Sequence, residues 1–169
     1  MRHQQGFTLI ELVIVIVILG ILAVTAAPRF IDIQSDARKE TMQGVKAAMQ
    51  GSSQLVYAKS AINGVQNQLS ANVSIANQSV AVRYGYPDAS LITNNADIQN
   101  FLDIELYDAT NNPNADLEYL DGPGDDTFRI SYRNVAISDV ANQETGCFVE
   151  YTSAQEGSVP DIRVRDATC

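Results

Sequence analysis

Histidine is almost missing from this chain. Its one copy, His3, precedes a long apolar run, so the rest of the protein holds no imidazole for a Ser-His-Asp or Cys-His arrangement. Tryptophan is absent, and cysteine occurs twice, at Cys147 and Cys169. Two thiols without a nearby histidine make a poor zinc site. No Gly-rich phosphate loop is present. Carboxylate pairs such as Asp103/Glu105 and Asp116/Glu118 lie in acidic stretches where any two acids would qualify, so they carry no signal. Neither an enzyme nor a bound cofactor or metal is expected. Asp121-Gly122-Pro123-Gly124-Asp125-Asp126 is dense in oxygen ligands but lacks the spacing of an EF-hand loop, and reads as a solvated turn. Positive charge is also scarce. From Ser60 onward there are 16 acidic and 5 basic residues, a net charge of −11. Nucleic acid is therefore an unexpected partner, because its footprint wants clustered Lys and Arg; only Arg129, Arg133, Arg163 and Arg165 could gather into a local basic patch. The balance suits a soluble, self-repelling surface.

Charge of either sign is missing from Phe7 to Ala27, with Glu11 the sole exception. As a helix this run is about 31 Å long at ~1.5 Å per residue, close to the roughly 30 Å of a hydrocarbon core. A carboxylate in such a segment is costly and usually has a partner. A cleaved secretory signal would end at Thr25-Ala26-Ala27, but the run is longer than such signals need and Glu11 lies inside it. A plain anchor explains the length and leaves Glu11 unexplained.

A third reading accounts for both. Gly6-Phe7-Thr8-Leu9-Ile10-Glu11-Leu12 follows a short basic leader and continues through Ile18-Leu19-Gly20-Ile21-Leu22-Ala23 to Pro28. This stretch resembles the class III signal of type IV pilins and their pseudopilin relatives. The resemblance implies that a prepilin peptidase cuts between Gly6 and Phe7 and that Phe7 becomes N-methylated. The apolar helix would then stay in the mature chain, first in the inner membrane and later bundled with copies of itself in a filament core. It also implies that Glu11 pairs with the Phe7 amine of a neighbouring subunit and sets register; a pair with its own chain's amine is the alternative. By the same resemblance the helix between Gly20 and Pro28 loses helicity in the fibre, against a simple proline kink.

Beyond Pro28 the apolar pattern resumes. Phe30, Ile33, Ala37, Val45, Ala48 and Leu55, with Met49 and Val56 beside them, form a stripe at mostly helical spacing. One long helix from about Thr8 to Lys59 is expected, apolar all round in its first half and amphipathic in its second. Residues 60–79 are polar and small, like the variable αβ-loop of the family. Val80–Tyr84, Thr127–Tyr132, Cys147–Tyr151 and Asp161–Val164 read as strands, with Val135–Ile137 a weaker one. Gly85–Asp88 and Asn111–Asn114 read as turns, and Ile98–Leu106 as a short helix or extended segment. The cysteines read as one disulfide of an exported domain, against two free thiols, and the resemblance places such a bond at the C-terminus.

The expected fold is α+β, a long N-terminal helix packed on an antiparallel sheet with a C-terminal disulfide loop. Its parts would be a leader (1–6), a membrane and filament-core helix (7–27), an amphipathic helix half (28–59) and a globular head (60–169). Arg83-Tyr84-Gly85-Tyr86-Pro87 is similar to pilins of mannose-sensitive haemagglutinin pili. The function implied is that of a major pilus subunit, a homopolymer serving adhesion to a surface or glycan receptor and biofilm formation. Its further partners would be the assembly ATPase and platform proteins. A pseudopilin of a type II secretion system is the alternative.

Overall fold

The computed structural model describes residues 7–122, 124–133 and 146–169, with the side chains of 27–32 outside that description. The chain divides into two compact units, 1–37 and 38–169. One helix, α1 (Leu9–Ile62), supplies all the regular structure among the described residues of the first and the opening element of the second. It ends at Gly64, whose φ of 71° suits a left-handed C-cap, with Val65 N–H donating to the Ser60 carbonyl at 2.9 Å.

In the second unit α1 buries Met42, Val45, Met49, Ser53, Val56 and Ser60. Their spacing of three and four follows one face of a 3.6-residue helix. The stripe read from the sequence is therefore shifted. Val45, Met49 and Val56 are core, but Ala48 and Leu55 are exposed. Met42 takes the place expected further round the helix. Ile33 and Ala37, in the first unit, are also exposed.

Two antiparallel sheets complete the second unit. The first has β1 (Ala71–Ile75), β2 (Gln78–Arg83) and β3 (Tyr86–Pro87) in sequence order. The stretch expected to be a polar loop up to Ser79 thus holds a whole strand and the start of another. Val73 buries and pairs Val80 while its neighbours stay exposed, so one inward residue anchors an otherwise polar strand. The expected turn at Gly85–Asp88 is displaced, because Tyr86–Pro87 is β3 and the chain reverses at Tyr84-Gly85. Both residues have positive φ, 50° and 86°, as a two-residue type I′ hairpin requires. A bulky residue held there costs about 1–3 kcal/mol. Gly85 is needed twice over, since a Cβ would also sit 2.8 Å from the Tyr57 ring.

A short helix, α2 (Asn95–Gln99), follows; the Asn94 side chain caps it by accepting from Ala96 N–H at 2.9 Å. Leu106 bridges to Leu117. The second sheet is a meander of β4 (Leu117–Asp121), β5 (Thr127–Tyr132), β6 (Phe148–Thr152) and β7 (Asp161–Arg165). Strand β4 was not expected. It carries Glu118 and Asp121, which an edge strand tolerates because beyond the bridge at Leu117 its outer side adjoins no further strand among the described residues. The segment Val135–Ile137 lies outside the described residues.

One core joins these elements. Met42, Val45, Met49 and Val56 of α1 cluster with Val73, Val80 and Val82 of the first sheet and with Phe128, Ile130, Val149 and Tyr151 of the second. Burying each such side chain contributes about 1.5–3 kcal/mol before entropy is counted. Phe128 and Tyr151 stack at 5.0 Å, and the Tyr151 hydroxyl donates to the Pro87 carbonyl at 2.8 Å, tying the two sheets. Arg83 makes a second tie, meeting Asp88 beside β3 and Asp126 in the β4–β5 turn. Asp126 of the oxygen-rich turn read from the sequence is thus engaged by an arginine. Cys147 and Cys169 are bonded, closing a separation of 22 residues, with Cys147 fully buried.

Candidate functional site at the N-terminal helix

The first unit presents a surface that water does not suit. Residues Leu9–Ala26 form a helical window long and apolar enough to cross a membrane, and none of it is buried within the chain. Phe7 is 92% exposed and Leu9 78%. A helix satisfies its own backbone groups, so it is one of the two forms that can enter hydrocarbon. At its open end the first N–H groups have no partner from the ladder, and here the sequence provides one. The Thr8 N–H and hydroxyl each donate to Glu11 Oε2 at 2.9 Å, and Glu11 N–H donates back to Thr8 Oγ1 at 3.3 Å. This is a reciprocal capping box.

The capping box was not anticipated from the sequence, although Thr8-x-x-Glu11 ahead of an apolar run is its written signature. It gives Glu11 a local task, distinct from the intermolecular one that the resemblance implies. The carboxylate oxygen Oε2 closes the helix end, while its charge is the only formal charge between Phe7 and Ala27. Neutral glutamine would serve the first task and not the second.

The remaining predicted positions fall as follows. Gly6 lies outside the described residues, and Phe7 precedes the first turn of α1. Gly20 lies within α1, where an added Cβ would meet nothing within 4 Å. Nothing among the described residues therefore requires glycine there. The backbone of Pro28 is also within α1, so the helix passes through both breakers in the single chain. Cys147 and Cys169 belong to the other unit. Among the described residues, no group of three or more His, Cys, Asp or Glu gathers in a way that could hold a metal.

Residues 1–27 match the family described as the prokaryotic N-terminal methylation motif. The chain is 49% identical over 47 residues to the type IV narrow pilus major component PilA5 of Thermus thermophilus, covering 28% of this chain and 40% of that one. It is 30% identical over 105 residues to the type IV major pilin protein PilA of Myxococcus xanthus, covering 62% and 45%. It is 50% identical over 48 residues to the type IV major alpha-pilin of Moraxella bovis, covering 28% and 30%. The chain thus spans less than half the length of each of these relatives. No solved structure matches it. The resemblance to type IV pilins read from Gly6 to Pro28 is supported by the motif and by all three relatives, and the α+β architecture with its C-terminal disulfide is consistent with that fold.

Proposed function

We propose that this chain is a prepilin, the major subunit of a type IV pilus. The observation that carries the reading is an apolar helical surface with no cover among the described residues, headed by the carboxylate Glu11. Large exposed apolar patches mark a lipid or protein contact. Lipid covers the surface in the inner-membrane precursor, and copies of the same helix cover it in the extracellular filament. Prepilin peptidase cuts after Gly6, and the amine released on Phe7 becomes the partner of Glu11 in a neighbouring subunit. Breaking a desolvated pair of this kind by removing one member costs about 3–5 kcal/mol, enough to select one register. Gly20 and Pro28 mark where α1 opens when the fibre forms. The acidic second unit faces the medium and serves adhesion and biofilm formation. The pilus ATPase and platform proteins would drive assembly.

Intact-mass and N-terminal analysis of material sheared from cells tests this. N-methyl-Phe7 at the terminus, with a mass two hydrogens below the reduced chain, is the expected result. A processed chain confined to membrane and periplasm would instead point to a pseudopilin. A chain starting at Met1, or cut after Ala27, would overturn the mechanism.

A further inference from the structure

Asparagine precedes glycine once in the chain, at Asn63-Gly64. Asparagine is among the thermolabile side chains, and this pair carries a reaction that needs no enzyme. The main-chain nitrogen of the next residue can attack the asparagine side-chain carbonyl carbon. Glycine has no Cβ and leaves that nitrogen open to approach. Here the pair sits where α1 ends. Asn63 and Gly64 are both exposed, and an added Cβ at Gly64 would meet nothing within 4 Å. The Asn63 side chain holds no hydrogen bond among the described residues. What restrains the pair is the helix cap. Gly64, at φ 71°, donates its N–H to the Ala61 carbonyl at 3.1 Å, and the Val65 N–H returns to Ser60 at 2.9 Å. This is a Schellman closure. The attacking nitrogen is held while the cap is shut and freed when the last turn opens, as helix ends do.

Asp121-Gly122, the one aspartate–glycine pair, could close the same ring with loss of water, and its setting prevents it. The Tyr119 hydroxyl donates to the Asp121 carboxylate, and the Gly122 N–H donates to the Thr127 carbonyl at 3.2 Å. A Cβ at Gly122 would lie 1.9 Å from Thr127 Oγ1. Side chain and nitrogen are both engaged there, whereas at Asn63-Gly64 only the nitrogen is. We infer that Asn63 is a site of spontaneous deamidation, gated by opening of the α1 cap. The Gly64 nitrogen, losing its proton to solvent, bonds to Asn63 Cγ. The Cγ–Nδ2 bond breaks and ammonia leaves, giving a cyclic succinimide. Water then opens the ring at either carbonyl, to aspartate or to isoaspartate, and nothing is oxidised or reduced. Both products put a carboxylate at the helix C-terminus, where the dipole disfavours it. Isoaspartate also adds a methylene to the main chain inside the cap. The modification therefore accumulates with age and loosens the junction between α1 and β1. It needs only the folded chain, whatever that chain assembles into.

Peptide mapping of detergent-solubilised full-length chain, aged in mildly alkaline buffer, tests this. In the folded chain a gain of one mass unit should appear on the peptide holding Asn63 before any other asparagine converts. Part of the product should be isoaspartate, which an isoaspartyl methyltransferase labels. Chain unfolded in urea should convert faster than folded chain, because no cap then holds the nitrogen. Mildly acidic buffer should slow both, because the attacking nitrogen must lose its proton. Asn63→Gln, whose longer side chain closes a ring far less readily, should lose the signal. Limited proteolysis should cut residues 63–70 more readily in aged chain than in fresh chain, and that difference should vanish in Asn63→Gln. Faster conversion at another asparagine of the folded chain, equal rates in folded and unfolded chain, a signal kept by Asn63→Gln, or a proteolytic difference that persists in Asn63→Gln would each overturn the inference. So would a folded chain that never converts while the unfolded chain does.

Discussion

The two ends of α1 share a backbone and differ in what they ask of their surroundings. Apart from Glu11 and Thr25, the segment between Leu9 and Ala26 is apolar all round, and among the described residues none of it is buried. Between Met42 and Ser60 one stripe is buried and the other faces stay largely exposed. The second pattern is that of a helix whose partner lies in its own chain; the first is that of a helix whose partner does not. Glycine follows the same division of labour. Gly85 is fixed by a tyrosine ring of its own chain, whereas a Cβ at Gly20 would meet nothing. The stability of one end can be measured on a single molecule, and that of the other only in lipid or in an assembly.

The comparison breaks most sharply at Glu11. Glu11→Ala should reduce sheared filament to below detection, while processing and membrane retention stay normal. Glu11→Gln sharpens the result, because glutamine keeps the capping box and loses the charge. If the negative charge sets register, Glu11→Gln fails to assemble as completely as Glu11→Ala. Normal filament from Glu11→Gln would mean that helix capping, worth about 1 kcal/mol, is the whole contribution.

Within the second unit the contrast is between faces of the same helix. Met49→Ala should cost about 2–5 kcal/mol, as for other fully buried large-to-small changes, and Leu55→Ala, on an exposed site, no more than about 0.5 kcal/mol. Urea unfolding of detergent-solubilised chain measures both. A large loss at Leu55 would show that this face also has an intramolecular partner. Replacing both Cys147 and Cys169 by alanine should cost about 3 kcal/mol through the freed unfolded chain. That loss belongs to the second unit and should leave the membrane retention of the first unchanged.

The helix was legible because its signals are redundant. An uninterrupted apolar run and a 3.6-residue period both survive Gly20 and Pro28. Strand β5 was legible because Thr127–Tyr132 is rich in strand formers and alternates in character, and β7 because Ile162 and Val164 alternate with charge. Strands β1 and β4 were not. Each is half-buried and rich in Asn, Ser, Glu or Asp, so a single inward residue such as Val73 had to outweigh polar neighbours. That decision depends on the partner strand, which a local pattern does not contain. At the N-terminus the motif residues were legible and the Thr8–Glu11 box, though spelled out, was passed over in favour of a longer-range role. The Tyr84-Gly85 turn was hidden because tyrosine replaces the asparagine that usually announces such a hairpin.

The gentlest probe of the comparison is alkali. The first tyrosine of the chain is Tyr57, so all seven belong to the second unit and none to the first. Burial holds the Tyr151 phenol well above its ordinary range. Burial and the bond to Asp121 do the same for Tyr119, and burial raises Tyr86 less far. In the unfolded chain these groups release their protons near pH 10, and in the folded chain they keep them to higher pH. Above about pH 10 the unfolded state therefore binds fewer protons than the folded one, and stability falls as pH rises; below that pH the contribution is complete. Phenolate absorbance should show Tyr119 and Tyr151 ionising only together with loss of the sheets. The apolar helix in detergent, having no group that titrates there, should keep its ellipticity through the same transition. If Tyr119 and Tyr151 ionised with the sheets intact, the bonds their hydroxyls donate to the Ile92 and Pro87 carbonyls, each at 2.8 Å, would be contradicted. If the helix melted with the head, the two ends of α1 would be one cooperative unit rather than two.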